Sequence, residues 1–365
     1  MDAATQAAPA ATQARSLPFE FSGKAGEYFG IWIVNLLLSI VTVGIYTAWA
    51  KVRRLRYFYG NTWLDGHNFE YHARPVQILI GRIIVLGFLG AYTILTNFVS
   101  PFFVLLLVPY LIALPWLINK SMNFNARMTS YRNVRLSFGG TYWGAFGVFI
   151  AMPFAAMLTL GILAPVASRM SANYIGRHLR FGSARFGMNT RLRSFYANWG
   201  MTLLFMVALV AILGAGGFGA GMVVSSFNSL QVTGDNPDLA EIMENSGLFL
   251  AIIGAYASIF LALLFYVAGT RNLAFNGATL EGGHRFASNL GRLRYVWILV
   301  SNLIVSILTL GLMRPWAAIR TWRYMANRTS VIANGSLDRF VDVAAPQGSV
   351  AAAEFFDIEG IDFGL

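Results

Sequence analysis

The chain contains no cysteine, which excludes disulfides, thiolate metal sites and cysteine nucleophiles. Histidine is scarce as well: His67, His72, His178 and His284 are the only four, and no HExxH or comparable ligand spacing joins them. His67 and His72 lie near Asp65 and Glu70, but a solvated hairpin explains that group without a metal. Charge is thin. Asp, Glu, Lys and Arg make up 12% of the chain and hydrophobic residues 56%, against roughly 25% and 45–50% in soluble domains. This is the composition of a membrane protein. The long apolar stretches hold no Asp or Glu, which argues against a proton relay of buried carboxylates. The first sixteen residues have neither a basic nor an apolar region of the kind a cleaved signal needs and read as a flexible tail.

Seven apolar stretches are present: Tyr28–Ala50, Val76–Val99, Pro101–Ile118, Tyr142–Ala167, Trp199–Phe227, Gly247–Thr270 and Tyr295–Trp316. Each approaches the ~20 residues that a span needs. Seven full spans would alternate sides, yet Lys and Arg flank nearly all of them. Two connections lack both, at 97–101 and 227–246. Cytoplasmic loops collect Lys and Arg, so full alternation fails in either orientation. The conflict disappears if the second and third stretches form one spanning pair and the fifth and sixth another. The remaining three then enter and leave by the cytoplasmic face as re-entrant or half-depth hairpins. The alternative is three ordinary spans that break the charge rule.

Those three stretches share a phrase. "TVGIYTAWAKVRRLRY" begins at Thr42, "TLGILAPVASRMSANY" at Thr159 and "TLGLMRPWAAIRTWRY" at Thr309. The breaks are assigned to Thr42 and Gly44, Thr159 and Gly161, and Thr309 and Gly311, because glycine accepts the backbone of a break and threonine can satisfy a freed backbone group. Seven residues after each threonine comes Trp49, Val166 or Trp316, and fifteen after comes Tyr57, Tyr174 or Tyr324. Asn35 and Asn302 precede their threonines by seven and, with Arg82, are the polar candidates inside the membrane. Lys51, Arg53, Arg54, Arg56, Arg320 and Arg323 are expected to contact anionic phospholipid headgroups. Positive-inside topology accounts for these basic residues better than nucleic-acid binding does.

The basic connections alternate apolar and polar residues and carry the turn dipeptides Asp65-Gly66, Asn276-Gly277 and Asn334-Gly335. They are expected to gather into one small sheet under the membrane. The expected fold class is a mainly α, polytopic helical membrane protein with internal repeats: three Thr-x-Gly hairpins, two full spanning pairs and small cytoplasmic β-sheet elements. Residues 1–16 are expected to form a tail, 17–340 a single repeat-built domain with units 17–135, 136–275 and 276–340, and 341–365 an acidic tail able to dock on the basic layer.

"FEFSGKAGEYFGIWIVNLLLSIVTVGIYTAWAKVRRLRYFYGNT" together with "TLGLMRPWAAIRTWRYMANRT" resembles the YjgN family of bacterial inner-membrane proteins, over roughly residues 17 to 342. Ala48 stands in the proline place of the first copy, and the second keeps Pro165 but not the tryptophan. The resemblance implies a multi-pass protein of the bacterial cytoplasmic membrane and brings no activity or catalytic residues. With both termini on the cytoplasmic side, the chain is expected to be non-catalytic and free of cofactor. Passage of a small solute or lipid is the leading expectation, and membrane organisation by hairpin wedges the alternative. A homo-oligomer is compatible with either.

Overall fold

The computed structural model describes residues 15–98, 103–229 and 237–345. The connections expected at 97–101 and 227–246, and the docking of the acidic tail, lie partly or wholly outside them. Ten short strands alternate with the helices: β1 (Arg15–Phe21), β2 (Thr62–Leu64), β3 (His67–Tyr71), β4 (Thr129–Tyr131), β5 (Val134–Phe138), β6 (Leu179–Phe181), β7 (Ala184–Met188), β8 (Ala278–Leu280), β9 (His284–Ser288) and β10 (Thr329–Ala333). Each pairs antiparallel with its neighbours in sequence, and β1 closes on β10 with Leu17 opposite Val331.

The result is a closed barrel rather than the small sheet that alternation suggested. Strands of three to seven residues would leave exposed edges in an open sheet, and closure removes them. Leu17, Leu64, Tyr131, Phe181, Leu280 and Val331 point into the core. Their neighbours Arg135, Arg180, Arg185 and Arg285 face solvent. The Tyr131 hydroxyl donates to the Leu64 carbonyl at 2.7 Å, and burial pushes its pKa up to about 12.

Tight turns join β2 to β3, β4 to β5, β6 to β7 and β8 to β9, so every helical excursion leaves from the opposite rim. Asp65-Gly66 makes its turn with both φ positive, at 48° and 77°, as a two-residue hairpin requires. The other two dipeptides do not. Gly277 is the last residue of a helix, and Asn276 bonds the Ser288 backbone from there. Asn334-Gly335 leads from β10 into a further helix. A short dipeptide signal cannot distinguish a hairpin from a helix end.

The helices fall into two size classes. Helices α3 (Pro75–Phe98), α4 (Phe103–Arg127), α8 (Leu192–Ser229) and α9 (Pro237–Gly277) have 24, 25, 38 and 41 residues. At about 1.5 Å per residue all four exceed the ~30 Å of a hydrocarbon core. Within the last two, Leu192–Gly217 and Ala251–Gly277 are long and apolar enough to cross a membrane. The shorter class folds back on itself. α1 (Ala25–Val41) returns through α2 (Thr47–Gly60), and α10 (Arg292–Leu308) through α11 (Arg314–Asn327). Between them, α5 (Tyr142–Phe146), a π-helical turn (Gly147–Ala151) and α6 (Met152–Leu158) return through α7 (Ala164–His178).

α12 (Leu337–Ala344) closes the turn end of the barrel. Ser336 caps it, Leu337, Val341 and Ala344 are buried in the barrel core, and Phe340 stacks on Phe181 at 6.2 Å. Arg132 and Asp338 form an ion pair at 2.5 Å, and the Ala344 carbonyl accepts from the Ser183 amide at 3.0 Å. The boundary drawn at residue 341 therefore falls inside a packed helix.

His284, at the start of β9, is 1% exposed, with its ring against Phe340 and its Nδ1 accepting from the Asn334 amide at 3.2 Å. Burial holds the imidazole below its ordinary pKa. Above about pH 6.5 the ring is neutral whether α12 is docked or released. Below that, the released form takes up a proton that the docked form resists, so docking weakens as pH falls. Hydrogen exchange in α12, corrected for its intrinsic pH dependence, should accelerate between about pH 7 and 5. His284→Phe should flatten that response.

Candidate functional site

The three Thr-x-Gly turns have the same backbone. Val43, Leu160 and Leu310 take φ of 49°, 50° and 49°, and Gly44, Gly161 and Gly311 take 87°, 88° and 87°. The left-handed region costs a non-glycine residue roughly 1–2 kcal/mol, so each turn must be over-determined. Hydrogen bonds supply this. The amides of Gly44, Gly161 and Gly311 donate to carbonyls five residues back at 2.7, 2.7 and 2.6 Å. Thr42 Oγ1 donates to the Leu38 carbonyl at 2.7 Å and accepts from the Tyr46 amide at 2.9 Å. Thr159 links Ala155 and Leu163 in the same way, and Thr309 links Val305 and Met313. The threonines are therefore occupied with backbone groups on both sides of the break.

The residues at the tips are apolar and unpacked. Val43, Leu160 and Leu310 are 93%, 93% and 94% exposed, and Val41, Leu158 and Leu308 beside them are exposed too. At the other end, the repeated tyrosines tie each returning helix to the start of its partner. Tyr57 OH donates to the Lys24 carbonyl at 3.0 Å, Tyr174 OH to that of Thr141 at 2.9 Å, and Tyr324 OH to that of Gly291 at 3.2 Å. The repetition was visible in the sequence, but its purpose was not. Tyr174→Phe should cost about 1 kcal/mol and lower the unfolding midpoint in detergent by a few degrees. Tyr256→Phe, on an exposed side chain of α9, should leave it unchanged.

The asparagines are not equivalent. Asn302 is buried, donates to the Ala317 carbonyl at 3.1 Å and to Thr321 Oγ1 at 2.9 Å, and accepts from Arg320 at 2.9 Å. Asn35 is equally buried, but its Oδ1 has no partner. The arginine at the corresponding position, Arg53, lies over the Tyr46 ring instead, 6.0 Å from its centroid.

Several basic residues expected to face lipid are engaged within the chain. Arg56 donates to the carbonyls of Tyr71 and Ala73 at 3.3 and 3.1 Å, fastening α2 to the end of β3. Arg323 donates to the Gly23 carbonyl at 2.6 Å, and Arg320 to Ser301 and Asn302. Lys51, Arg53 and Arg54 retain exposed or half-exposed side chains without a carboxylate partner among the described residues.

Arg82, on α3, reaches sideways and donates to Thr47 Oγ1, three residues beyond Gly44. Lys51 lies one helical turn below Thr47, within electrostatic reach of Arg82. Arg82 is thus bonded to Thr47 on the seam of α2 and α3, with a second cation, Lys51, one turn further along α2. The place of Thr47 is taken in the third folded-back pair by Arg314, which is exposed. Arg314 borders a cleft of about 760 Å³ between α2 and the third pair, which Arg54, Asn302, Ser306 and Thr321 also line. Arg314 is not among the candidates drawn from the sequence; its place five residues after Thr309, equivalent to Thr47 after Thr42, is the signal that could have found it. No group of three His, Cys, Asp or Glu side chains suited to a metal occurs among the described residues. His72 instead bonds Ser130 Oγ at 2.7 Å, and His67 bonds the Asp65 carbonyl.

Residues 16–358 match the family described as "Bacterial protein of unknown function (DUF898)". The chain belongs to this family. It is 27% identical over 357 residues to "Inner membrane protein YjgN" of Salmonella typhimurium, covering 87% of this chain and 88% of that protein. It is 24% identical to the proteins of the same name from Escherichia coli O157:H7 and strain K12, over 88% of this chain and 89% of each. No solved structure matches. The match takes in the barrel, all three folded-back pairs and the long helices, so membership rests on the whole architecture rather than one motif.

Proposed function

We propose that this is a non-catalytic protein of the bacterial cytoplasmic membrane that draws anionic phospholipid headgroups below the surface of the cytoplasmic leaflet and passes lipid within the membrane. The barrel and both termini lie in the cytoplasm. α8 and α9, with α3 and α4, cross the bilayer, and the three folded-back pairs enter one leaflet only. The lengths support half-depth entry. Lys51 comes seven residues after Gly44, about 10 Å along a helix, which is short of half the ~30 Å core.

The observation that carries the reading is the bond of Arg82 to Thr47, one helical turn from Lys51, with no carboxylate paired to either cation among the described residues. Cations at membrane depth are costly unless paired, and a lipid phosphate is the anion available there. Arg314 offers a second such point at the same level, above a cleft whose polar groups continue to Arg54.

The test is reconstitution into liposomes of phosphatidylglycerol and phosphatidylethanolamine, each with a fluorescent trace. Transbilayer movement is read by dithionite quenching, and co-purified lipid by native mass spectrometry. Lys51→Gln with Arg82→Gln should lower retained anionic lipid about tenfold, the scale of one lost charge-assisted contact, and slow its movement. Equal retention by the variant defeats the reading. The second reading, a wedge that organises or bends the leaflet, is favoured by the near-complete exposure of the three apolar tips. It predicts vesicle tubulation by wild-type protein without lipid movement, and loss of tubulation when Val43, Leu160 and Leu310 are replaced by Ser.

A further inference from the structure

The barrel holds more space than its side chains fill. About eight strands give an interior that side chains alone can pack, and this barrel has ten. α12 fills the turn end. A cavity of about 490 Å³ remains above it, within the ~300–1,000 Å³ of small-ligand sites. It is walled by Phe69, Phe186, Phe286 and Leu280 from the strands and by Ile175 and Phe275 from the helical rim. Phe186 and Phe286 face one another across neighbouring strand pairs at 5.7 Å. An apolar cavity of roughly 150 Å³ already binds small hydrocarbons and stays dry, and this one is about three times larger.

We infer that the barrel is a binding site for one long aliphatic chain, entering from the membrane end between α7 and α9. Three observations select this ligand. The wall is almost wholly apolar: its Tyr131 hydroxyl is spent on the Leu64 carbonyl and its His284 imidazole is turned to Asn334 and Phe340, so nothing in it would fix a polar ligand. The turn end is stoppered by α12, with the Ser183–Ala344 bond and the Arg132–Asp338 pair holding it. At the other end the wall passes directly onto helices α7 and α9, and the second of these carries a candidate span, so a chain can reach the cavity from the bilayer without crossing water. The carboxyl or phosphate of such a ligand would remain outside at the rim. This site is separate from the cluster at Thr47 and does not depend on it.

The test uses the full chain in lipid nanodiscs with two photoactivatable probes, a free fatty acid and a phosphatidylglycerol, each carrying a diazirine on its acyl chain. After irradiation, labelled residues are mapped by mass spectrometry. Labelling of β5, β7, β8 and β9 is expected, in addition to the hairpin tips and spans. Ala274→Trp, which fills the rim end, should reduce barrel labelling at least fivefold while tip labelling is unchanged, and Phe286→Ala, which enlarges the cavity, should retain it. Barrel labelling by one probe alone identifies the source as free acid or phospholipid, and labelling by both means that the chain is read without its headgroup. Labelling confined to tips and spans in the wild-type protein overturns the inference. So does barrel labelling that arises only after residues 346–365 are removed, because the tail would then be the occupant.

Discussion

Replacing Gly269 with alanine should destabilise the protein by about 3 kcal/mol, a sum of overpacking and a disturbed buried amide. A Cβ at this position would stand 1.8 Å from Asn198 Oδ1 and 2.6 Å from its Cγ. Asn198 cannot retreat easily. It is 1% exposed, and its Nδ2 donates to the Tyr266 carbonyl at 3.2 Å and to Thr270 Oγ1 at 3.3 Å. The whole contact ties α8 to α9 just above the barrel, where the two long helices are most closely buried. Thermal unfolding in detergent should show a fall of several degrees. The second-site test is decisive: Asn198→Ala added to Gly269→Ala makes room for the methyl group and should recover at least half the loss. If the double variant is less stable than either single one, the clash is not the cause.

The second large effect lies at the other end of the molecule. Gly182 sits in the β6–β7 turn at φ +56°, and a Cβ there would meet the Ala344 carbonyl oxygen at 2.0 Å and Val134 Cγ1 at 2.8 Å. The turn could tolerate a side chain by itself, as Asp65 and Arg132 do in theirs at φ 48° and 52°. What it cannot tolerate is a side chain while α12 is docked. Gly182→Asn, a residue that accepts positive φ, should therefore release α12 and leave the barrel closed, since the Val134 methyl can turn aside and the backbone pairing of β6 with β5 and β7 is kept. Loss of the Leu337, Val341 and Ala344 contacts exposes three apolar side chains at roughly 1–3 kcal/mol each when fully buried, Ala less. Trypsin should then cut after Arg339 at least tenfold faster than in wild type, while the melting of the helical region changes little. Unchanged cleavage would mean that α12 moves to accommodate the side chain.

These two glycines illustrate where sequence reasoning stops. Neither belongs to a motif, and each matters because of an atom 71 or 162 positions away. The Thr-x-Gly breaks are different. Their chemistry is confined to about ten consecutive residues: a threonine that bonds four back and four ahead, a glycine at positive φ, and a proline or alanine packed just beyond. Local rules of helix termination therefore marked all three. The tyrosines fifteen residues later were equally visible as a pattern. Their partners, Lys24, Thr141 and Gly291, lie across a fold of the chain, so their role as clamps was not.

Basic residues divide by the same criterion. Arg53 and Arg54 are exposed cations, as their density after an apolar run suggests, and Lys51 is half-buried. Arg56 and Arg323 come from the same runs, but strand ends and a helix start arrive beside them and take their donors. Arg323 reaches Gly23, 300 residues distant. Arg82 stood out only as a polar residue within an apolar stretch, because its reach to Thr47 depends on α3 packing against α2.

By itself, then, the sequence determined the membrane class, the helical character, the sites of the three breaks and the alternating character of the segments between helices. Each follows from composition or from period and turn chemistry within a short window. Only the tertiary structure decided that ten of those segments close into a barrel, that α12 plugs it, that His284 is buried there, and that Arg82 reaches Thr47. The physical reason is common to all four. Closure requires the first strand to find the last, and burial or the reach of one side chain to another is set by the angles at which distant elements cross, which no local pattern encodes.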